Sequence, residues 1–75
     1  LLVGDGFEVI KDQLPHTGKY VALHMLDDVI IGEISGKNID TGICGISLSS
    51  GMTISVPSDP MTITLTSGIL LAYKA

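Results

Sequence analysis

Alternation of apolar and polar residues dominates this chain. Met52, Ile54 and Val56 alternate with Thr53 and Ser55, and Met61, Ile63 and Leu65 alternate with Thr62, Thr64 and Thr66. A period of two puts each apolar set on one face of an extended segment, so both runs are expected to be half-buried strands. Lys19–Leu26 reads as another strand, with Tyr20, Ala22, His24 and Leu26 on one face and Val21, Leu23 and Met25 on the other. Asp27-Asp28 then turns the chain into Val29–Ile34, where Gly32 marks a bulge or a close approach. No segment from Lys19 onward keeps the 3.6-residue spacing of a helix. The expected fold is therefore all-β, a small single-domain antiparallel β-sandwich or barrel, since both require the same alternation and turns.

The connections sharpen this picture. Pro57-Ser58-Asp59-Pro60 carries two prolines that lack an N–H and fix φ, which predicts a turn. Ile46–Ile54 and Ile63–Leu71 resemble each other at a spacing of 17 residues, each reading strand, Ser-Gly, strand. Glycine supplies the positive φ of a tight turn, so two similar hairpins or sheet corners are expected. The polar stretch Ser35-Gly36-Lys37-Asn38 and Asp40-Thr41-Gly42 is the connection roomy enough to carry function. Phe7, Ile10 and Leu14 would share a helical face, but Leu14-Pro15 ends any helix and nothing caps its start. Residues 1–18 are accordingly expected to form an N-terminal arm or edge segment, ahead of a compact β domain over 19–75.

Composition bears on function. Hydrophobic residues make up 45% of the chain and charged residues 16%. A domain of this size buries only about 60% of the surface its unfolded chain exposes, so it needs a staple. Cys44 is the only cysteine, and a zinc site would have only His16 and His24 beside it. Association with partners or copies is the remaining staple. Eight acidic residues against Lys11, Lys19, Lys37 and Lys74, with no arginine, give a net charge of −4 and disfavour nucleic acid as a partner. The apolar runs are far shorter than the roughly 20 residues of a membrane-spanning helix, so no membrane is expected. Leu1 and Leu2 are followed after one residue by Gly4-Asp5-Gly6, and no basic start of a signal peptide precedes them.

No residue pattern points to catalysis. His24 lies mid-strand without a carboxylate or second histidine at ligand spacing, and is expected to be a satisfied, partly buried side chain. His16 is expected to be an exposed bystander in a loop. Cys44, between Ile43 and Gly45 and without a basic neighbour, reads as a small buried hydrophobe. Asp27, Asp28, Asp40 and Asp59 sit where turns favour aspartate. A cluster of Asp27, Asp28 and His24 is the one arrangement that would bind calcium, zinc or a carbohydrate. No phosphate cradle or nucleophile elbow is present, and no cofactor is expected.

Several segments together resemble small structural proteins of tailed bacteriophages, the decoration or cement proteins of the capsid. They are Gly18 to Asp28, Ile34-Ser35-Gly36-Lys37-Asn38, Ile46 to Ile54 and Met61 to Ala75. The shared rhythm is a strand ending in an acidic turn, an Ile-x-Gly-x-Asn corner, a sheet turned by Ser-Gly, and a last strand closing in Ala-Tyr. Pro57-Ser58-Asp59-Pro60 departs from it, since a glycine-containing turn is more usual there. The resemblance implies a non-enzymatic virion protein on the capsid surface, binding the major capsid protein and itself. A homotrimer at local threefold positions is the expected form. Leu1, Leu2, Val3, Ile69, Leu70 and Leu71 are the expected intersubunit contacts. A tail, neck or head-fibre attachment module is the alternative with the same fold.

Overall fold

The computed structural model describes residues 6–75. Seven strands follow in chain order: β1 (Phe7–Ile10), β2 (His16–Met25), β3 (Val29–Gly36), β4 (Ser47–Leu48), β5 (Thr53–Ser55), β6 (Pro60–Ser67) and β7 (Leu70–Lys74). One 3-10 turn, Thr41–Ile43, interrupts them, with the Asp40 carboxylate accepting from the Gly42 amide. The fold is all-β and every strand pair is antiparallel.

Two layers share the long strand β2. Its first half, His16–Lys19, pairs with β6, which continues through β3 to β4. Its second half pairs with β7 on one side and β5 on the other, and β1 closes that layer beyond β7. Where β2 leaves one layer for the other, Tyr20 pairs with Lys74 but Ala22 pairs with Tyr73, so Val21 is an extra residue, a bulge. The bulge changes the parity of β2. Tyr20, Leu23 and Met25 all enter the core, whereas uninterrupted alternation would have put Tyr20 on the face opposite Leu23 and Met25.

Gly32 plays the same part in β3. Ile31 pairs with Leu65 and Glu33 with Thr64, leaving Gly32 as the bulged residue expected from its place in the strand. The buried set shifts from Val29 and Ile31 to Ile34 accordingly. In β6 the alternation runs unbroken from Met61 to Leu65, with Met61, Ile63 and Leu65 all buried, and Thr66 is then an extra residue against β3. These side chains, with Ile10, Leu48, Leu70 and Ala72, fill the core between the layers.

The two Ser-Gly segments take the corner form of the two expected, and the Pro57–Pro60 turn does not form. Neither Ser-Gly segment is a hairpin, because β4 does not pair with β5, nor β6 with β7. Both are corners that carry the chain from one layer to the other, with Gly51 at φ 87° and Gly68 at φ 97°. Nor does Pro57-Ser58-Asp59-Pro60 reverse the chain. β5 and β6 lie one after the other along the same edge of β2, since Ser55 pairs with Ala22 and Pro60 with Lys19. The prolines interrupt the ladder, the chain bows out, and it then rejoins the same edge. The N-terminal region also belongs to the sheet: β1 is an edge strand, and His16, Thr17 and Gly18 begin β2.

Candidate functional site

The outer face of the β1-β7-β2-β5 layer is the candidate site. Paired residues of an antiparallel ladder point to the same side. The register therefore builds two rows across this face: Phe7, Tyr73, Ala22 and Ser55 in one, Val9, Leu71, His24 and Thr53 in the other. Phe7 is 59% exposed and Val9 43%. The Phe7 and Tyr73 rings pack with centroids 6.4 Å apart and planes tilted by 59°. Ala22 is buried yet lies outside the core cluster, as its place in the outer row requires. The rows contain no carboxylate or ammonium group, and their polar end is closed by a hydrogen bond between His24 Nδ1 and Thr53 Oγ1 at 2.7 Å. His24 is thus the satisfied, half-buried histidine expected from the sequence.

The expected contact residues divide in three ways. Leu71 lies on this face. Leu70 is fully buried in the core and has no surface to offer a partner, while Ile69 is half-buried at the corner before β7. Leu1, Leu2 and Val3 lie outside the described residues.

The strand that carries Phe7 and Val9 is braced from beneath. His16 is no bystander, because its Nδ1 lies 2.5 Å from Glu8 Oε2 and its Nε2 lies 2.7 Å from Asp12 Oδ1. Only the doubly protonated ring donates to both carboxylates. The Asp12 hydrogen bond, reinforced by Glu8 and opposed by partial burial, raises the imidazole above its usual 6.5. His16 in turn, with the Leu14 amide, holds Asp12 below 3.8. The Tyr20 hydroxyl donates to Glu8 Oε1 at 3.2 Å, and burial first, then the Glu8 charge, pushes that phenol up to about 12. Sequence reading missed this brace, because Glu8, Asp12 and His16 meet only when the chain folds back between β1 and β2.

The brace makes stability depend on pH in a fixed sense. The imidazolium contribution is complete below 6.5 and is lost as pH rises through the raised folded-state value. The Asp12 contribution is present above 3.8 and is lost as pH falls through its depressed value. The thermal midpoint should therefore fall between about pH 6 and about pH 8, and His16→Gln should lose that slope. Equal slopes in the two proteins would show that the brace does not contribute to folding.

An apolar groove of about 500 Å³ opens elsewhere, between the 38–46 connection and the β5 end of the molecule. Leu23, Ile31, Ile34, Ile43 and Val56 line it, and Cys44 and His24 do not. Cys44 is half-buried against the core, as a small hydrophobe should be. The cluster of Asp27, Asp28 and His24 does not assemble. Asp27 accepts from the Asp28 amide, Asp28 from the Ser50 amide, and His24 is engaged with Thr53. Among the described residues no three histidine, cysteine or acidic side chains are grouped to hold a metal ion, and no helix is long and apolar enough to cross a membrane. No known protein family, curated protein or solved structure matches the chain, so its function has to be argued from its own surface.

Proposed function

We propose that this chain is a structural virion protein that decorates or cements a bacteriophage capsid through contacts with the major capsid protein and with copies of itself, without catalysis. The observation that carries the reading is the outer face just described, where Phe7, Val9, Leu71 and Tyr73 form a contiguous apolar surface on a rigid sheet. Small soluble domains rarely leave such a surface open, and contiguous apolar patches mark protein contact sites. A standard interface buries about 1,600 Å² in total, enough to reinforce a seam between capsomers. The resemblance of the strand rhythm to that of phage decoration proteins supports this kind of assembly.

Quantitative mass spectrometry of purified particles tests this proposal. A copy number close to that of the major shell protein is the expected result. A dozen copies or fewer would move the chain to a tail, neck or head-fibre attachment, and its absence from particles would overturn the reading.

A further inference from the structure

We infer that the open edge of β1 is a self-association site at which two copies pair antiparallel about a twofold axis, joining their sheets across Val9. This goes beyond the capsid reading and stands without it.

Backbone geometry identifies the partner as a strand. The Lys74 amide donates to the Gly6 carbonyl at 2.8 Å, which fixes the parity of the β1–β7 ladder. Glu8 and Ile10 direct their N–H and C=O groups toward β7, and Phe7 and Val9 turn theirs toward the open side. Among the described residues no strand pairs with that side. Natural sheets protect such edges with lysine, proline, bulges or very short strands. Among the described residues the other edges are covered or short: β4 has only two residues, β5 has three, followed closely by Pro57, and the Ala75 amide donates to the Lys19 carbonyl at the outer side of the first half of β2. Phe7-Glu8-Val9-Ile10 carries no lysine, proline or bulge, its one charge, on Glu8, is engaged from within by His16 and Tyr20, and it exposes an aromatic and a β-branched side chain.

Face chemistry identifies the strand as β1 of a second copy. Pairing β1 with the β5 edge of another molecule would set Phe7 and Val9 against exposed Thr53 and Ser55. Pairing β1 with β1 sets apolar against apolar and continues the Phe7, Tyr73 and Leu71 surface across the axis. The free backbone groups allow three registers, of which the one with Phe7 opposite Phe7 overlaps the two strands at that residue alone, so two remain. One sets Glu8 directly opposite its copy, which opposes like charges. The other sets Val9 opposite Val9, Glu8 opposite Ile10, and Phe7 opposite Lys11, where an ammonium group meets a ring face. The second register is the one inferred, and it makes the contact twofold where a threefold assembly was expected from the resemblance.

Sedimentation or light scattering across about 10 µM to about 1 mM tests the inference over the range of a modest affinity. The weight-average mass should rise from one chain to two. Val9→Lys, on an exposed edge position, should remain one chain while keeping its β circular dichroism, and Met52→Lys, at a comparably exposed site off this edge, should still dimerise. Val9→Cys should give a reducible covalent dimer, since opposed residues on the axis lie about 5.5 Å apart, within disulfide reach. Wild type, with its half-buried Cys44, supplies the background for that oxidation. A wild type that stays one chain at the highest concentration, a Val9→Lys protein that dimerises as well as wild type, or a trimer would overturn the inference. Dimerisation without capture of the Val9→Cys protein would overturn the register. A dimer whose chain is absent from particles would refute only the capsid reading.

Discussion

Gly68→Ala is expected to cost about 3–5 kcal/mol and so to remove a large share of the folding stability. A Cβ at this position would lie 2.4 Å from the Asp28 carbonyl oxygen and 2.7 Å from the Val29 Cα. Both are backbone atoms of the neighbouring segment and cannot rotate aside. The φ of 97° adds strain that a side chain cannot relieve. A domain of this length has a total stability of only about 4–11 kcal/mol, so this one methyl group consumes much of it. Gly51→Ala is the matched comparison. It has the same sign of φ, at 87°, but nothing lies within 4 Å of the added Cβ. It should cost only the conformational strain, about 1–2 kcal/mol. Urea denaturation of the two variants measures the difference. Equal losses would mean that the corner after β6 does not approach Asp28 and Val29 as closely as described.

Ile63→Ala should be the second severe change, at about 2–5 kcal/mol. Ile63 is fully buried and lies at the centre of its layer, in register with His16 of β2 on one side and Ile34 of β3 on the other. Truncating it leaves a void bounded by strands that cannot close in, because each is held by its own ladder. Ile63→Val removes one methylene and should cost about 0.5–1.5 kcal/mol. The graded pair, followed by urea midpoints at constant slope, distinguishes loss of packing from a change in the unfolded state. An Ile63→Ala protein within about 1 kcal/mol of wild type would show that the core repacks around this site and that β6 is not its centre.

These two positions differ in how far the sequence announced them. Ile63 was legible, since strict alternation with threonine identifies the buried face of β6 without reference to any other strand. Gly68 was legible only as a turn residue. That it abuts the start of β3 depends on how the layers stack. The outer face was partly legible: Leu71 was singled out from its apolar run, but its neighbour Leu70 points into the core, because adjacent strand residues face opposite sides. Phe7 and Val9 were invisible as site residues, since their exposure follows from the edge position of β1. His16 gave no sign of its two carboxylate partners, eight and four residues back along the chain, because no single element holds the three and they meet only across the connection between β1 and β2.

The sequence by itself determined the class of this protein. Alternating residues, β-branched content, glycine and proline punctuation, and the want of a helical period leave an all-β chain as the one economical solution, and those are local properties. The tertiary structure alone decided which strands pair and which way each face points. The bulges at Val21 and Gly32 reverse the parity of β2 and β3 midway, and a shift of one residue sends every later side chain to the other face. The Ser-Gly segments supply a change of direction, yet whether that change makes a hairpin or a passage between layers depends on which partner strand is already in place. The surface proposed for assembly arises at that level, where β1 lands at the edge of the sheet with Phe7 and Val9 turned outward.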